Sequence, residues 1–139
     1  MKELTRAEEQ VMQCLWKIEK GFVKDIVGQF SEPKPAYTTI TTVIRVLVKK
    51  GFIGFRTYGK VHEYYPLISK QEYSRLCFNQ VVRNYFSNSY QKFASFFTRE
   101  SDLSLPELEE IKKIIENRIA EKGRHSPVKR NKRKSKREG

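Results

Sequence analysis

Three helical apolar patterns, followed directly by two β-prone runs around a glycine turn, fill the stretch from Leu4 to Pro66 and leave few folds open to this chain. Leu4, Ala7, Val11, Leu15 and Ile18 recur every three or four residues, one face of an amphipathic helix. Thr5 followed by Glu8 fits a capping box, and Gly21 is expected to stop the helix. Phe22 to Phe30 reads as a second, shorter helix with Val23, Ile26, Val27 and Phe30 inward. Pro33 and Pro35 then impose a loop. A third helix is expected from Tyr37 to Lys50, with Gly51 as its C-terminal stop. Its threonines and β-branched residues would also suit a strand. The shared face of Ile40, Val43, Ile44 and Leu47 at helical spacing decides for helix. Phe52 to Arg56 and Val61 to Pro66 flank Thr57-Tyr58-Gly59-Lys60, which predicts a hairpin. Tyr64, Tyr65 and Leu67 are expected in the core. The order is that of a winged helix-turn-helix, so the fold class is mainly α with a small β-hairpin wing.

From Ser69 the helical pattern returns. Tyr73, Leu76, Cys77, Val81, Tyr85 and Phe86 form one stripe, and Tyr90, Phe93, Ala94, Phe96 and Phe97 a second. Ser104 and Glu107 form another capping box, ahead of Leu108, Ile111, Ile115 and Ile119. A segment this short has too little interior to bury all these stripes by itself, which points to burial against a second copy. Three regions are expected: a winged-helix DNA-binding domain over residues 1–68, a helical dimerisation region over 69–122, and a disordered basic tail over 123–139. Charge follows the same division. The net charge of +12 resolves into +4, +1 and +7 over these three segments, so a nearly neutral middle lies between basic ends. This pattern suits nucleic acid at the ends and a protein contact between them. No apolar run reaches the roughly 18 residues of a membrane span. The N-terminus has no signal-peptide pattern, and a cytoplasmic protein is expected.

The third helix carries the informative chemistry. With Ile40, Ile44 and Leu47 inward, Thr38, Thr42, Arg45 and Lys49 point outward and Thr41 lies on the flank. Hydroxyls and an arginine suit base edges in a major groove, and thymine methyls can pack on threonine methyls. The candidate DNA-binding residues are Thr38, Thr39, Thr41, Thr42, Arg45 and Lys49, with Arg56, Tyr58 and Lys60 of the wing on phosphates. His62 lies near the same hairpin tip. Cys14 and Cys77 have no second cysteine or histidine at ligand spacing and read as buried thiols acting as small hydrophobes, so neither metal nor cofactor is expected. No catalytic constellation and no small-molecule substrate site is visible, and the chain is not read as an enzyme. The alternative is a winged-helix protein-interaction adaptor that does not read DNA sequence. An apolar outer face on the third helix would favour it.

Together these residues resemble the penicillinase repressor (BlaI/MecI) family. The resemblance rests on Leu4-Thr5-Arg6-Ala7-Glu8-Glu9-Gln10-Val11-Met12 with Leu15-Trp16, on Tyr37-Thr38-Thr39-Ile40-Thr41-Thr42-Val43, and on Leu47 to Ile53. Tyr64 to Ser69 with Glu72-Tyr73, and Leu103-Ser104 with Leu108 to Ile111, extend it over roughly residues 3–122. It implies a transcriptional repressor acting as a homodimer on a palindromic operator, with double-stranded DNA as partner. It also implies a membrane metallopeptidase sensor that triggers cleavage at an Asn-Phe pair. The corresponding position reads Phe96-Phe97, without the asparagine. The Cys-x-Cys pairs of the copper-responsive branch are absent, and the basic tail is not part of the family pattern.

Overall fold

A computed structural model describes residues 3–125 of the chain. The described chain forms two compact units that divide between Asn88 and Ser89.

The first unit begins with α1 (Arg6–Ile18), α2 (Val23–Gly28) and α3 (Tyr37–Lys49). The expected capping box closes the start of α1. The Glu8 backbone N–H donates to Thr5 Oγ1 (3.2 Å), and the Thr5 N–H donates to Glu8 Oε1 (2.9 Å). The helix ends before Gly21. Glu19 turns into left-handed backbone (φ 73°) and its N–H closes on the Leu15 carbonyl. Gly21 has another role: it exchanges two backbone hydrogen bonds with Tyr64, at 2.9 and 2.8 Å. A Cβ there would meet Ile18 Cδ1 at 2.8 Å and Asp25 Cβ at 3.0 Å, so a larger residue would crowd these neighbours. The second helix is shorter than the Phe22–Phe30 pattern suggested. The Phe22 N–H donates to Asp25 Oδ2 at its start, and beyond its end Lys34 Nζ donates to the carbonyls of Gly28 and Phe30. Helix α3 forms as expected, and Gly51 follows it with φ 86°.

The wing is an antiparallel pair, β1 (Ile53–Tyr58) and β2 (Val61–Pro66), joined through Gly59 (φ 62°) and Lys60. Phe55 pairs with Tyr64, Thr57 with His62 and Arg56 with Glu63. The core gathers Val11, Met12 and Leu15 of α1, Ile26 of α2, and Ile40, Ile44 and Leu47 of α3 around Phe52 and Ile53. Helix α4 (Lys70–Tyr85) joins this unit through its first turns. The Tyr73 ring lies 5.8 Å from Trp16 and 6.0 Å from Phe52, and its hydroxyl donates to Glu9 Oε2. Trp16 Nε1 donates to the Ile68 carbonyl at 2.8 Å, fastening the junction between wing and α4.

Expectations about burial are corrected at several places, and Cys14, Cys77 and Tyr65 are half-buried where burial in the core is expected. Ala7 is exposed, and the inward face of α1 runs through Glu8 and Met12 instead. Glu8 is tolerated there because Lys50 Nζ, beyond the end of α3, reaches its carboxylate at 2.8 Å. Burial raises the Glu8 pKa, but Lys50 and Thr5 outweigh it, and the carboxyl sits below its ordinary value. Leu67 is 55% exposed, because its backbone follows Phe52 while the core position falls to Ile68. On α4, Tyr73 and Cys77 of the predicted stripe turn inward, but Leu76, Val81 and Tyr85 are exposed and Val82 is fully buried in their place.

The second unit holds α5 (Tyr90–Glu100) and α6 (Leu105–His125). The Ser104–Glu107 capping box forms as expected. Phe93 stacks on Phe97 at 5.8 Å within α5, and neither of α5's phenylalanine faces is fully buried. Phe96, Leu105, Ile114, Ile115 and Ile119 are exposed. Most of the predicted tail, from Ser126 onward, lies outside the described residues.

Candidate nucleic-acid interface

The 3.6-residue period that buries Ile40, Ile44 and Leu47 puts Thr38, Thr39, Thr42, Arg45 and Lys49 in solvent, with Thr41 half-buried on the flank. The outer face of α3 is therefore built from hydroxyls and cations, as the sequence suggests. Val46 is its one large apolar side chain in solvent apart from Tyr37 at the start of the helix. Thr42 is constrained further. Its hydroxyl donates to the Thr38 carbonyl at 2.9 Å, one turn back. With its proton committed, Thr42 offers a partner an acceptor lone pair and a methyl group, and no donor.

The hairpin register divides the wing residues between two faces. Side chains alternate along a strand, so Phe55, Thr57, His62 and Tyr64 share one side, and Arg56, Tyr58, Glu63 and Tyr65 the other. The first side turns toward α3. Thr41, Arg45 and Val48 line a cleft of about 240 Å³ with Phe55, His62 and Tyr64. Burial pushes the Tyr64 hydroxyl's pKa up, and the nearby Arg45 charge acts in the opposite sense. The second side turns toward the end of α1, where Arg56 and Tyr58 line a separate hollow with Glu19 and Lys20. Lys60 stands in the turn, exposed.

The structure thus brings Thr41 and Arg45 together with the wing and keeps Arg56 and Tyr58 off that cleft. The polar wing residue beside Arg45 that strand alternation could have singled out is His62. The His62 ring lies tilted against Phe55 at 4.4 Å, and its Nδ1 lies 3.1 Å from Thr57 Oγ1. Among the described residues, none of Arg45, Lys49, Arg56 and Lys60 forms an ion pair with a carboxylate; the pairs present are Lys50–Glu8 and Arg118–Glu121. The cations of α3 and the wing are therefore available to an anionic partner. Among the described residues no three of His, Cys, Asp or Glu gather as a metal site, and no helix is long and apolar enough to cross a membrane.

Three helices closed by a two-stranded wing, with a hydroxyl- and cation-bearing third helix, define a winged helix-turn-helix of the DNA-binding kind. The family model for penicillinase repressor matches residues 4–117. The chain belongs to the penicillinase repressor family, a family of DNA-binding repressors. Its relatives include the methicillin resistance regulatory protein MecI of Staphylococcus aureus (strain N315), 26% identical over 114 residues, which span 81% of this chain and 93% of that protein. The penicillinase repressor of Bacillus licheniformis is 24% identical over 115 residues, 82% of this chain and 90% of the relative. Among solved structures, the DNA-binding domain of the repressor BlaI aligns with a TM-score of 0.45 at 28% identity, covering 52% of this chain and 94% of that domain. The CopR repressor structure aligns with a TM-score of 0.41 at 28% identity, covering 49% of this chain and all of that one.

Proposed function

We propose that the protein is a sequence-specific transcriptional repressor that binds a palindromic DNA operator as a homodimer in the cytoplasm. It is a binding protein and not an enzyme. The observation that carries this reading is the outer face of α3, where exposed threonines stand beside Arg45 and Lys49 with no carboxylate paired to either. Thr38, Thr39, Thr41, Thr42 and Arg45 read base edges, and Lys49, Arg56, Tyr58 and Lys60 hold phosphates. An adaptor that docks protein on α3 would call for a more apolar outer face than this one.

The homodimer is supported by the second unit. Leu105, Ile114, Ile115 and Ile119 are exposed apolar residues on α6, in a segment close to electrical neutrality. A two-fold dimer presents two reading helices to the two halves of a palindrome. We assign DNA binding to residues 1–68, dimerisation to 69–122 and an auxiliary phosphate contact to the basic tail. A membrane metallopeptidase sensor is the partner that the resemblance suggests, but Phe96-Phe97 lacks the asparagine of the cleaved pair, and induction by cleavage is not part of this proposal.

The test is a titration of full-length protein against the DNA upstream of its own gene and against random DNA of equal length. A dimer at micromolar concentration in sedimentation, with a footprint two-fold symmetric and far tighter than random binding, is the expected result. A sedimenting monomer, or equal affinity for both DNAs, overturns it.

A further inference from the structure

Next to the reading helix lies a concave site that base recognition leaves unused. A cavity of about 520 Å³ opens between the start of α2, the start of α3 and β2. Phe22, Val23, Val61 and the Tyr64 ring supply its apolar wall. Lys24, Tyr37, Lys60 and His62 stand around it as the polar groups. The volume falls within the roughly 300–1,000 Å³ typical of small-ligand sites, which are mostly apolar with a few placed polar groups. The charged residues lining it are lysines, no carboxylate lines it, and neither lysine forms an ion pair among the described residues. Val61 and Tyr37 remain 54% and 53% exposed, so nothing described in the chain covers this apolar surface.

We propose that this cavity binds a small organic anion with an aromatic body, of the aromatic carboxylate class, and that its occupancy weakens DNA binding. The ring lies on Phe22 and Val61, and the carboxylate meets the ammonium of Lys24 or Lys60, each a strong point-charge donor. Such a molecule is bound and not converted, so it is an effector and not a substrate. Coupling to DNA rests on the function proposed above: Lys60 is there a phosphate contact, and Tyr37 opens the reading helix. A carboxylate seated on Lys60 occupies that donor and places negative charge beside the phosphate path. Linkage makes the antagonism mutual, each ligand weakening the other by the same factor.

The probe is naphthoate, with naphthalene methanol as its uncharged counterpart, added to full-length protein and followed by amide chemical shifts. Saturable shifts clustered at Phe22, Tyr37 and Val61 are expected, with the uncharged compound binding about tenfold more weakly for want of one charge-assisted contact. Val61→Glu, at an exposed position that leaves the fold intact in the same spectra, should abolish the shifts. Lys24→Gln should weaken them several-fold. Shifts confined to α5 and α6, or equal binding of both compounds, overturn the site. Saturating naphthoate should weaken operator binding by about fivefold or more in the wild-type chain and leave Val61→Glu unchanged. Unchanged DNA affinity with a filled cavity overturns the coupling. Because the shifts are read without DNA, a chain that fails to bind any operator refutes the repressor reading and still decides the site.

Discussion

On the outer face of α3, Arg45 and Thr42 differ in what they have left to give. The Thr42 proton already goes to the Thr38 carbonyl, so Thr42 has an acceptor and its shape left to offer a partner. Among the described residues Arg45 pairs with no carboxylate, and it lines the wing cleft. Arg45→Ala is therefore expected to weaken operator binding by about 1–3 kcal/mol and to narrow the gap to random DNA. Equal losses on the two DNAs would make Arg45 a phosphate contact only. Glu8 and Lys50 carry a second residue-scale prediction. Their contact joins the first turn of α1 to the end of α3 across the core, with the Glu8 side chain only 9% exposed. Lys50→Met leaves that carboxylate without its charged partner and should cost about 1–3 kcal/mol in denaturant unfolding. The sign with pH follows from a carboxyl pKa that is lower folded than unfolded. Its stabilising contribution is present above the ordinary carboxylate value of 4.5 and disappears as pH falls through the lowered folded value. Lys50→Met should remove most of that loss, so the two stability curves converge in acid.

At the scale of elements, α4 belongs in packing to the body that precedes it. Tyr73 lies between Trp16 and Phe52, and its hydroxyl meets Glu9. A chain cut after Ile68 loses this ring and uncovers both partners, whereas one cut after Asn88 keeps the whole first unit. Removing a buried aromatic costs about 3–5 kcal/mol, a large share of a small domain's stability. Residues 1–88 should melt cooperatively, residues 1–68 should melt well below them, and Tyr73→Ala in the full chain should lose a comparable amount. Matching melting curves for the two fragments would remove α4 from the folding unit. Elements were legible where their signals are local. Thr5 with Glu8 and Ser104 with Glu107 lie three residues apart, and the period that buries Ile40, Ile44 and Leu47 decided α3 against its own propensity. Partners distant in the chain were not legible. Nothing near Gly21 announces Tyr64, and nothing near Glu8 announces Lys50, so in the sequence the bridge looks like a helix stop and the paired carboxylate like part of a cap alone. The division of the wing stands between these cases. Once Gly59 and Lys60 form the turn, alternation dictates that Thr57 and His62 face α3 while Arg56 and Tyr58 turn away. The composition of the tip by itself carries no such direction.

For the whole molecule, the distribution of charge sets how it meets a polyanion. The net charge is +12, and the stretch from Lys129 to Arg137 alone holds seven cations. Helix α6 reaches His125, so a cut after that residue keeps every described element and removes those seven. The exposed apolar residues of α6 end at Ile119, and the shortened chain should still form the dimer proposed above. Each phosphate neutralised by the protein releases condensed counterions and adds about 0.9 to the slope of log affinity against log salt. If about two to four of the seven cations meet phosphates at a time, the cut should flatten that slope by about 2–3. It should also weaken operator and random DNA by similar factors, because phosphates carry no sequence information. The base contacts proposed for α3 would then remain, and the ratio of the two affinities should hold while both fall. Binding is measured for the full and shortened chains at several salt concentrations on both DNAs. Coincident slopes would show that the tail does not touch DNA. A change in the affinity ratio would mean instead that the tail bears on base reading, which the arrangement of cations on the wing and α3 does not predict.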